Sequence, residues 1–250
     1  MGSVAMRRDV DTDIWLREAQ TRKGQAVLNA FAAPATGFKL KRAFDAGVAL
    51  ALLIITAPLL IIIALAIKLD SPGSALFVQQ RVGAKFRKDS SGASWQLNVF
   101  PIYKFRTMTQ NADSALHSGF VRAFVTGEAG DTATAKLTHD PRITRLGAFL
   151  RETSLDELPQ LFNVLKGDMS LVGPRPVPVY EVAAYEPEQY TRLAALPGIT
   201  CIWQVEGRGR VGFEEMVNMD VNYIKNRSLW LDLKLLALTV PAVLLRRGAK

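Results

Sequence analysis

The chain has 250 residues, 49% of them hydrophobic, enough for one sizeable core or for one domain plus an anchor. A single cysteine, Cys201, excludes an internal disulfide and fits a reducing compartment; with only two histidines beside it, a zinc site of the usual kind is excluded as well. The net charge of +8 suits nucleic acid, anionic lipid or an anionic substrate, but there is no interleaved Arg/aromatic ladder and no nucleic-acid motif, so no nucleic-acid partner is expected.

Residues 1–36 read as a surface extension on the cytoplasmic side. Asp11-Thr12-Asp13 would cap a short helix reaching about Phe31, a reading that Gly24 weakens. Ala46 to Ile67 then runs for 22 residues without a charge, long enough to cross a bilayer as a helix. Lys39, Lys41 and Arg42 precede it and Lys68 follows it. Two topologies fit residues 37–72. One is a single spanning helix with the basic N-terminus inside. The other is a re-entrant helix-turn-helix that leaves on the face it entered. Pro58 favours the second, because it removes a backbone donor and bends the helix, and Thr56 stands near enough to satisfy a freed carbonyl. Composition leaves both open.

Ser71-Pro72-Gly73 closes this segment as a turn. Residues 75–80 and 95–106 carry β-type residues around the polar stretch Lys85–Ser94, predicting short strands or a small hairpin. Residues 112–135 read as a loop with a helical start, and 142–166 as helix interrupted near Pro159. Pro174, Pro176 and Pro178 predict a rigid extended turn over 172–178, neither helix nor sheet. Residues 211–226 read as helix. Ser228–Leu245 is apolar apart from Asp232 and Lys234, and suits either a buried core helix or an amphipathic helix lying on a membrane.

The chemistry concentrates in residues 151–176. Asp156 and Glu157 are neighbours, about 100° apart on a helix, so they can hold separate jobs. An Asp at its ordinary pKa of about 3.9 is ionised at neutral pH and can attack a phosphoryl group to form an acyl phosphate; a Glu beside it can hold Mg²⁺. Arg151 lies five residues upstream of Asp156, and Gly173-Pro174-Arg175-Pro176 fixes an arginine on a stiff backbone. Tyr103-Lys104-Phe105-Arg106-Thr107-Met108 alternates basic and apolar residues, as a strand with Lys104 and Arg106 on one face would. Asp140-Pro141-Arg142 and Arg145 add charge before the Asp-Glu segment. His139 suits a surface or helix-start role better than acid/base work, and Cys201, beside Trp203, reads as a small core residue.

Taken together, these blocks resemble the bacterial sugar transferases, the monotopic polyprenyl-phosphate phosphoglycosyl transferases. The resemblance runs over roughly Phe38–Leu245. It includes Lys41-Arg42-Ala43-Phe44-Asp45, Gln80-Arg81-Val82-Gly83, Tyr103–Met108, Asp140–Gly147, all of 151–176, Pro197-Gly198-Ile199-Thr200, Trp203-Gln204-Val205, Gly207-Arg208 and Ser228–Asp232. Ala57-Pro58 stands where the family often has Ser-Pro, and Cys201 where it often has Gly.

The resemblance implies an α+β, mainly helical, monotopic membrane protein. A re-entrant N-terminal helix, a small β-hairpin and amphipathic interfacial helices would surround a cytoplasmic active site at a bacterial inner membrane, with residues 73–250 forming the catalytic domain. It implies transfer of a sugar phosphate from a UDP-sugar to undecaprenyl phosphate through a covalent intermediate, with Mg²⁺. Asp156 would then be the nucleophile and Glu157 the Mg²⁺ ligand, with Lys104, Arg106, Arg151 and Arg175 binding phosphate and Pro58 kinking the membrane helix. The product would pass to downstream glycosyltransferases building an exopolysaccharide, capsule or O-antigen unit. The donor sugar is left open, with the Leu116–Lys136 loop and the Cys201–Phe213 region as the places to look, and a homodimer is compatible with the sequence. A rival from another class is a non-catalytic membrane adaptor that binds anionic lipid or a partner, which leaves the Asp-Glu and Pro-Arg-Pro motifs without a purpose.

Overall fold

The computed structural model describes residues 22–29, 37–89, 92–109, 115–128, 140–207 and 211–244. Most of the 1–36 extension, His139, Arg208 and much of the Leu116–Lys136 loop lie outside the described residues. The chain is α+β and mainly helical, with one long apolar helix and a small antiparallel sheet.

After a short helix α1 (Arg22–Asn29), α2 (Phe38–Asp70) runs for 33 residues. It is long and apolar enough to cross a membrane, yet only 17% of its most apolar 18-residue window is buried. A core helix of a water-soluble fold would be mostly covered; here Ile54, Ile55, Ile61, Ile62 and Leu65 are exposed. The helix passes through Pro58 without a separating turn, so the expected helix-turn-helix is one helical run. Thr56 Oγ1 donates to the Leu52 carbonyl at 2.7 Å, rather than to the Ile54 carbonyl that Pro58 leaves without its usual donor.

Both ends of α2 pack on the same body. Asp45, Ala49 and Leu53 recur every four residues and form one buried stripe; Ala49 and Leu53 join the main apolar cluster, which also holds Trp95, Phe100, Val164 and Met169. Ile63 and Ile67 meet Ala75, Phe105 and Leu150 in a second cluster, and Leu60 touches both. The polar residues around the first end are tied down. Lys41 Nζ lies 2.6 Å from Asp232 and 3.4 Å from Asp45, Ser170 Oγ donates to Asp45 at 2.8 Å, and Arg42 donates to the Val164 and Met169 carbonyls.

Strands β1 (Leu76–Asp89) and β2 (Gly92–Phe105) form a single antiparallel hairpin in register from Leu76↔Phe105 to Asp89↔Gly92. It is longer than the sequence suggests, because ladder bonds continue through the polar stretch Lys85–Ser94. Helix α3 (Ala115–Val125) follows, then α4 (Arg145–Glu152), a 3-10 turn (Leu155–Gln160) and α5 (Leu161–Lys166). Strand β3 (Ser170–Val172) pairs in parallel with β5 (Gly198–Thr200). Between them lies β4 (Val177–Pro178), which joins the outer edge of β1 through Arg81↔Pro178 and Val82↔Val177. The Pro-rich segment is therefore partly sheet, contrary to expectation: Pro178 sits on an edge strand, where its missing donor costs little. Helix α6 (Val179–Val182), a second 3-10 turn (Pro187–Leu193), α7 (Ile202–Glu206), α8 (Phe213–Asn226) and α9 (Leu229–Leu244) complete the body. In α9, Trp230, Leu233, Leu238 and Val240 are exposed while Leu235 is fully buried, so the helix is neither wholly core nor wholly surface.

Candidate active site

The site is assembled where the chain after β2, the 3-10 turn and the Pro-Arg-Pro turn meet. Thr144 caps α4 by accepting from the Gly147 amide at 2.9 Å. Gly147 allows α4 to lie directly on the chain leaving β2, since a Cβ there would fall 2.1 Å from the Thr107 carbonyl oxygen. That contact brings Arg151 Nε to Thr107 Oγ1, 2.8 Å away. The helix does not continue to Pro159 as expected. It breaks earlier, at Ser154, which adopts a left-handed conformation (φ 56°, ψ 17°). A non-glycine residue there is strained by roughly 1–2 kcal/mol, and the kink turns Asp156 and Glu157 toward the sheet.

β2 is an edge strand, and its free edge receives the turn. Asn163, fully buried, accepts from the Tyr103 amide at 3.1 Å and donates to the Pro101 carbonyl at 2.7 Å, so α5 is pinned to β2 by the bonds another strand would make. On the far side, Gly173 and Gly198 approach so closely that a Cβ on Gly198 would lie 2.1 Å from the Gly173 nitrogen. The two amides then bond across, Gly173 to Thr200 and Gly198 to Pro174, and fix the turn that carries Arg175.

Five of the expected residues converge: Asp156, Glu157, Lys104, Arg151 and Arg175. Glu157 Oε1 accepts from Lys104 Nζ at 2.7 Å and from Arg175 Nη2 at 2.9 Å. Burial alone would push the Glu157 carboxyl up, but Arg175 and Lys104 outweigh it and hold it well below the ordinary carboxylate range. Asp156 is buried and carries no hydrogen bond or ion pair among the described residues. Burial first, and then the like charge of Glu157, push its pKa up to about 6, against the pull of Lys104, Arg151 and Arg175. The expectation of an ordinary Asp is thus corrected, because tertiary packing desolvates it. Burial also lowers Lys104 and Arg151, whereas Glu157 raises Arg175. The result is one carboxylate bonded through a single oxygen to two cations, beside another without a bonded partner among the described residues but held within their field.

Two expected residues lie elsewhere. Strand β2 ends at Phe105, so Arg106 does not share the face of Lys104. Its guanidinium donates to the carbonyls of Pro72, Ser71 (2.7 Å) and Ile67 (3.3 Å), a cation placed on the C-terminus of α2. Pro58 lies within α2, in the membrane-type segment. Upstream, Arg142 grips Asp140 through 2.6 and 2.7 Å contacts, and hydrogen bonding from Arg142 holds Asp140 down at about 2. Arg81, quoted above only as part of a motif, stands beside Arg175: its Nη1 donates to the Pro176 carbonyl at 3.3 Å. The missed signal was strand pairing, which the sequence does not spell out.

No group of three or more His, Cys, Asp or Glu side chains able to hold a metal occurs among the described residues. The donor set at Asp156 and Glu157 nevertheless fits Mg²⁺, an ion that commonly takes one or two protein carboxylates and completes its shell with phosphate and water. Both cations bond Oε1 of Glu157, leaving Oε2 for a ligand.

Known proteins resemble this chain over most of its length. A family model described as bacterial sugar transferase matches residues 36–246. The chain is 43% identical over 210 residues to the undecaprenyl-phosphate galactose phosphotransferase of Salmonella typhimurium, covering 84% of this chain and 41% of that protein. It is 39% identical over 213 residues to the exopolysaccharide production protein ExoY of Rhizobium meliloti, covering 85% and 89%. A third relative, the UDP-glucose:undecaprenyl-phosphate glucose-1-phosphate transferase of Caulobacter vibrioides, is 42% identical, with 82% and 69% covered. The chain spans about two fifths of the length of several longer curated relatives.

Proposed function

This chain belongs to the bacterial sugar transferase family, and from that premise we propose that it transfers a sugar phosphate from a UDP-sugar to undecaprenyl phosphate, releasing UMP. The observation that carries the reading is the division between the two carboxylates. Glu157 absorbs the hydrogen bonds of Lys104 and Arg175, and Asp156 keeps its oxygens for reaction.

In the first half-reaction, an Asp156 carboxylate oxygen attacks the sugar-proximal phosphorus. The bond from that phosphorus to the bridging oxygen breaks, and UMP leaves with the electron pair. In the second, a phosphate oxygen of undecaprenyl phosphate attacks the aspartyl phosphate, and the Asp156 carboxylate is regenerated. Lys104, Arg151 and Arg175 offset charge on the phosphoryl oxygens as it shifts. Glu157 would hold Mg²⁺ through Oε2, and bound Mg²⁺ would supply further neutralisation of the diphosphate. The raised pKa makes Asp156 a better nucleophile than an ordinary Asp while leaving it mostly ionised above about 6.

The same reading places the protein on a membrane as a monotopic, re-entrant type. Packing of both ends of α2 on one body supports a return to the same face, and the exposed Trp230, Leu233, Leu238 and Val240 suit an interfacial helix. A cytoplasmic face at the inner membrane follows from where UDP-sugars are made. Two relatives are named exopolysaccharide production proteins, which supports exopolysaccharide synthesis as the purpose; downstream glycosyltransferases would then take up the product.

The test is UMP release from a panel of UDP-sugars, with and without undecaprenyl phosphate, by the detergent-solubilised chain with Mg²⁺. Lipid-dependent release with one sugar is the expected result and names the donor. No release by folded protein with any sugar would overturn the reading.

A further inference from the structure

The reaction above leaves one cation in the site without an anion. Arg81, on β1, donates Nη1 to the Pro176 carbonyl at 3.3 Å and Nη2 to Gln79 Oε1 at 2.8 Å, and its buried Nε has no partner. It makes no ion pair among the described residues, and Glu181, the carboxylate on the neighbouring α6, is engaged by Arg192 and Tyr185. Burial first, and then the like charge of Arg175, push its guanidinium down to about 10, against the pull of Tyr180, Glu181 and Glu157. Arg81 joins Lys104 and Arg175 around Glu157, while Lys104, Arg151 and Arg175 act on Asp156, and the nearby Glu181 is already bonded to Arg192. Holding guanidiniums together in a partly dehydrated site is costly unless an anion completes it.

We propose that Arg81 is a further phosphate-binding residue, which with Arg175 forms a two-guanidinium clamp on phosphoryl oxygens of the substrate. The inference rests on the transferase reading for its substrate, though not for the anion site itself. The β1–β4 pairing sets the clamp's span, since Arg81 sits opposite Pro178 and so reaches the turn that carries Arg175. The oxygens belong either to the donor's diphosphate or to the lipid monophosphate of the acceptor.

The experiment uses the full chain in detergent and the variants Arg81→Lys and Arg81→Gln. Inorganic pyrophosphate should raise the melting temperature of the native chain. Arg81→Lys, which keeps the charge but loses the fork, should keep less than half of that rise, and Arg81→Gln almost none. A purely structural Arg81 would lower the starting melting temperature and leave the rise unchanged. If Arg81→Gln fails to fold, Arg81→Lys decides. In turnover, a KM raised about tenfold for the UDP-sugar alone assigns the clamp to the donor, and the same change for the lipid phosphate alone assigns it to the acceptor. An equal pyrophosphate rise in Arg81→Lys and the native chain, or no rise in the native chain, overturns the clamp. A chain that releases no UMP but shows a rise that Arg81→Lys halves keeps the clamp and loses the transferase reading.

Discussion

Among the described residues, two of the groups of buried charge are finished differently. In the first, Arg192 donates to Asp220 through Nε (2.9 Å) and Nη2 (2.7 Å), and its Nη1 meets the Tyr185 hydroxyl (2.9 Å) and Glu181 (3.3 Å). Tyr185 closes the ring by donating to Glu181 at 2.6 Å. Arg192 and Asp220 are each 1% exposed, and each has its partner. In the second, Lys104 and Arg175 both spend their bonds on one oxygen of Glu157, and Asp156 has none among the described residues. A closed network holds α8 and the second 3-10 turn together. An unfinished one is what an anionic substrate would complete.

Substitutions sharpen or break that contrast. The largest effect should come from Asp156→Asn, with UMP release reduced by roughly a thousandfold or more while membrane attachment persists. This variant should also be the more stable protein at neutral pH. Asp156 has a raised folded pKa, so its contribution to stability is full below its unfolded value of about 3.9 and is lost as pH rises through about 6. Removing the carboxyl should recover roughly 1–2 kcal/mol, read by chemical denaturation at pH 7.5. Retained turnover would end the nucleophile assignment.

Next in size, Arg192→Met leaves Asp220 buried without its cation. It should cost about 3–5 kcal/mol in denaturant unfolding. A loss confined to turnover, with stability intact, would make the two networks alike. Glu157→Gln should move the acid limb of the rate profile from near 6 to lower pH, since the like charge goes and Lys104 and Arg175 are freed to face Asp156. The same variant should respond less steeply to added Mg²⁺; an unchanged titration would remove Glu157 as ligand. The smallest effect is expected at Arg106, where Arg106→Gln should cost about 1–2 kcal/mol by uncapping α2 and leave the KM for the UDP-sugar unchanged. A raised KM there would return Arg106 to the phosphate site.

Much of this was legible before any coordinates. The uncharged run Ala46–Ile67 announces its helix, and the three prolines after Gly173 announce a stiff carrier for Arg175. The length of the hairpin was hidden, because Lys85–Ser94 alternates too little to read as strand; Phe86 alone of its apolar side chains packs on the core, against Phe38 and Trp95, and the rest is held by the ladder. The break at Ser154 was hidden as well. Nothing about a serine forecasts positive φ, which here follows from α4 ending on Thr107 while the next residues must reach β2. The burial of Asp156 and the approach of Arg81 to Arg175 are tertiary facts, set by elements far apart in sequence.

The side-chain amide of Asn163 has a consequence for assembly. By occupying the Tyr103 amide and the Pro101 carbonyl, it fills the hydrogen-bonding positions that an incoming strand would need on that margin of the sheet. A second copy cannot lengthen the sheet by adding a strand there. Self-association, if two copies do pair, has to use some surface other than this margin.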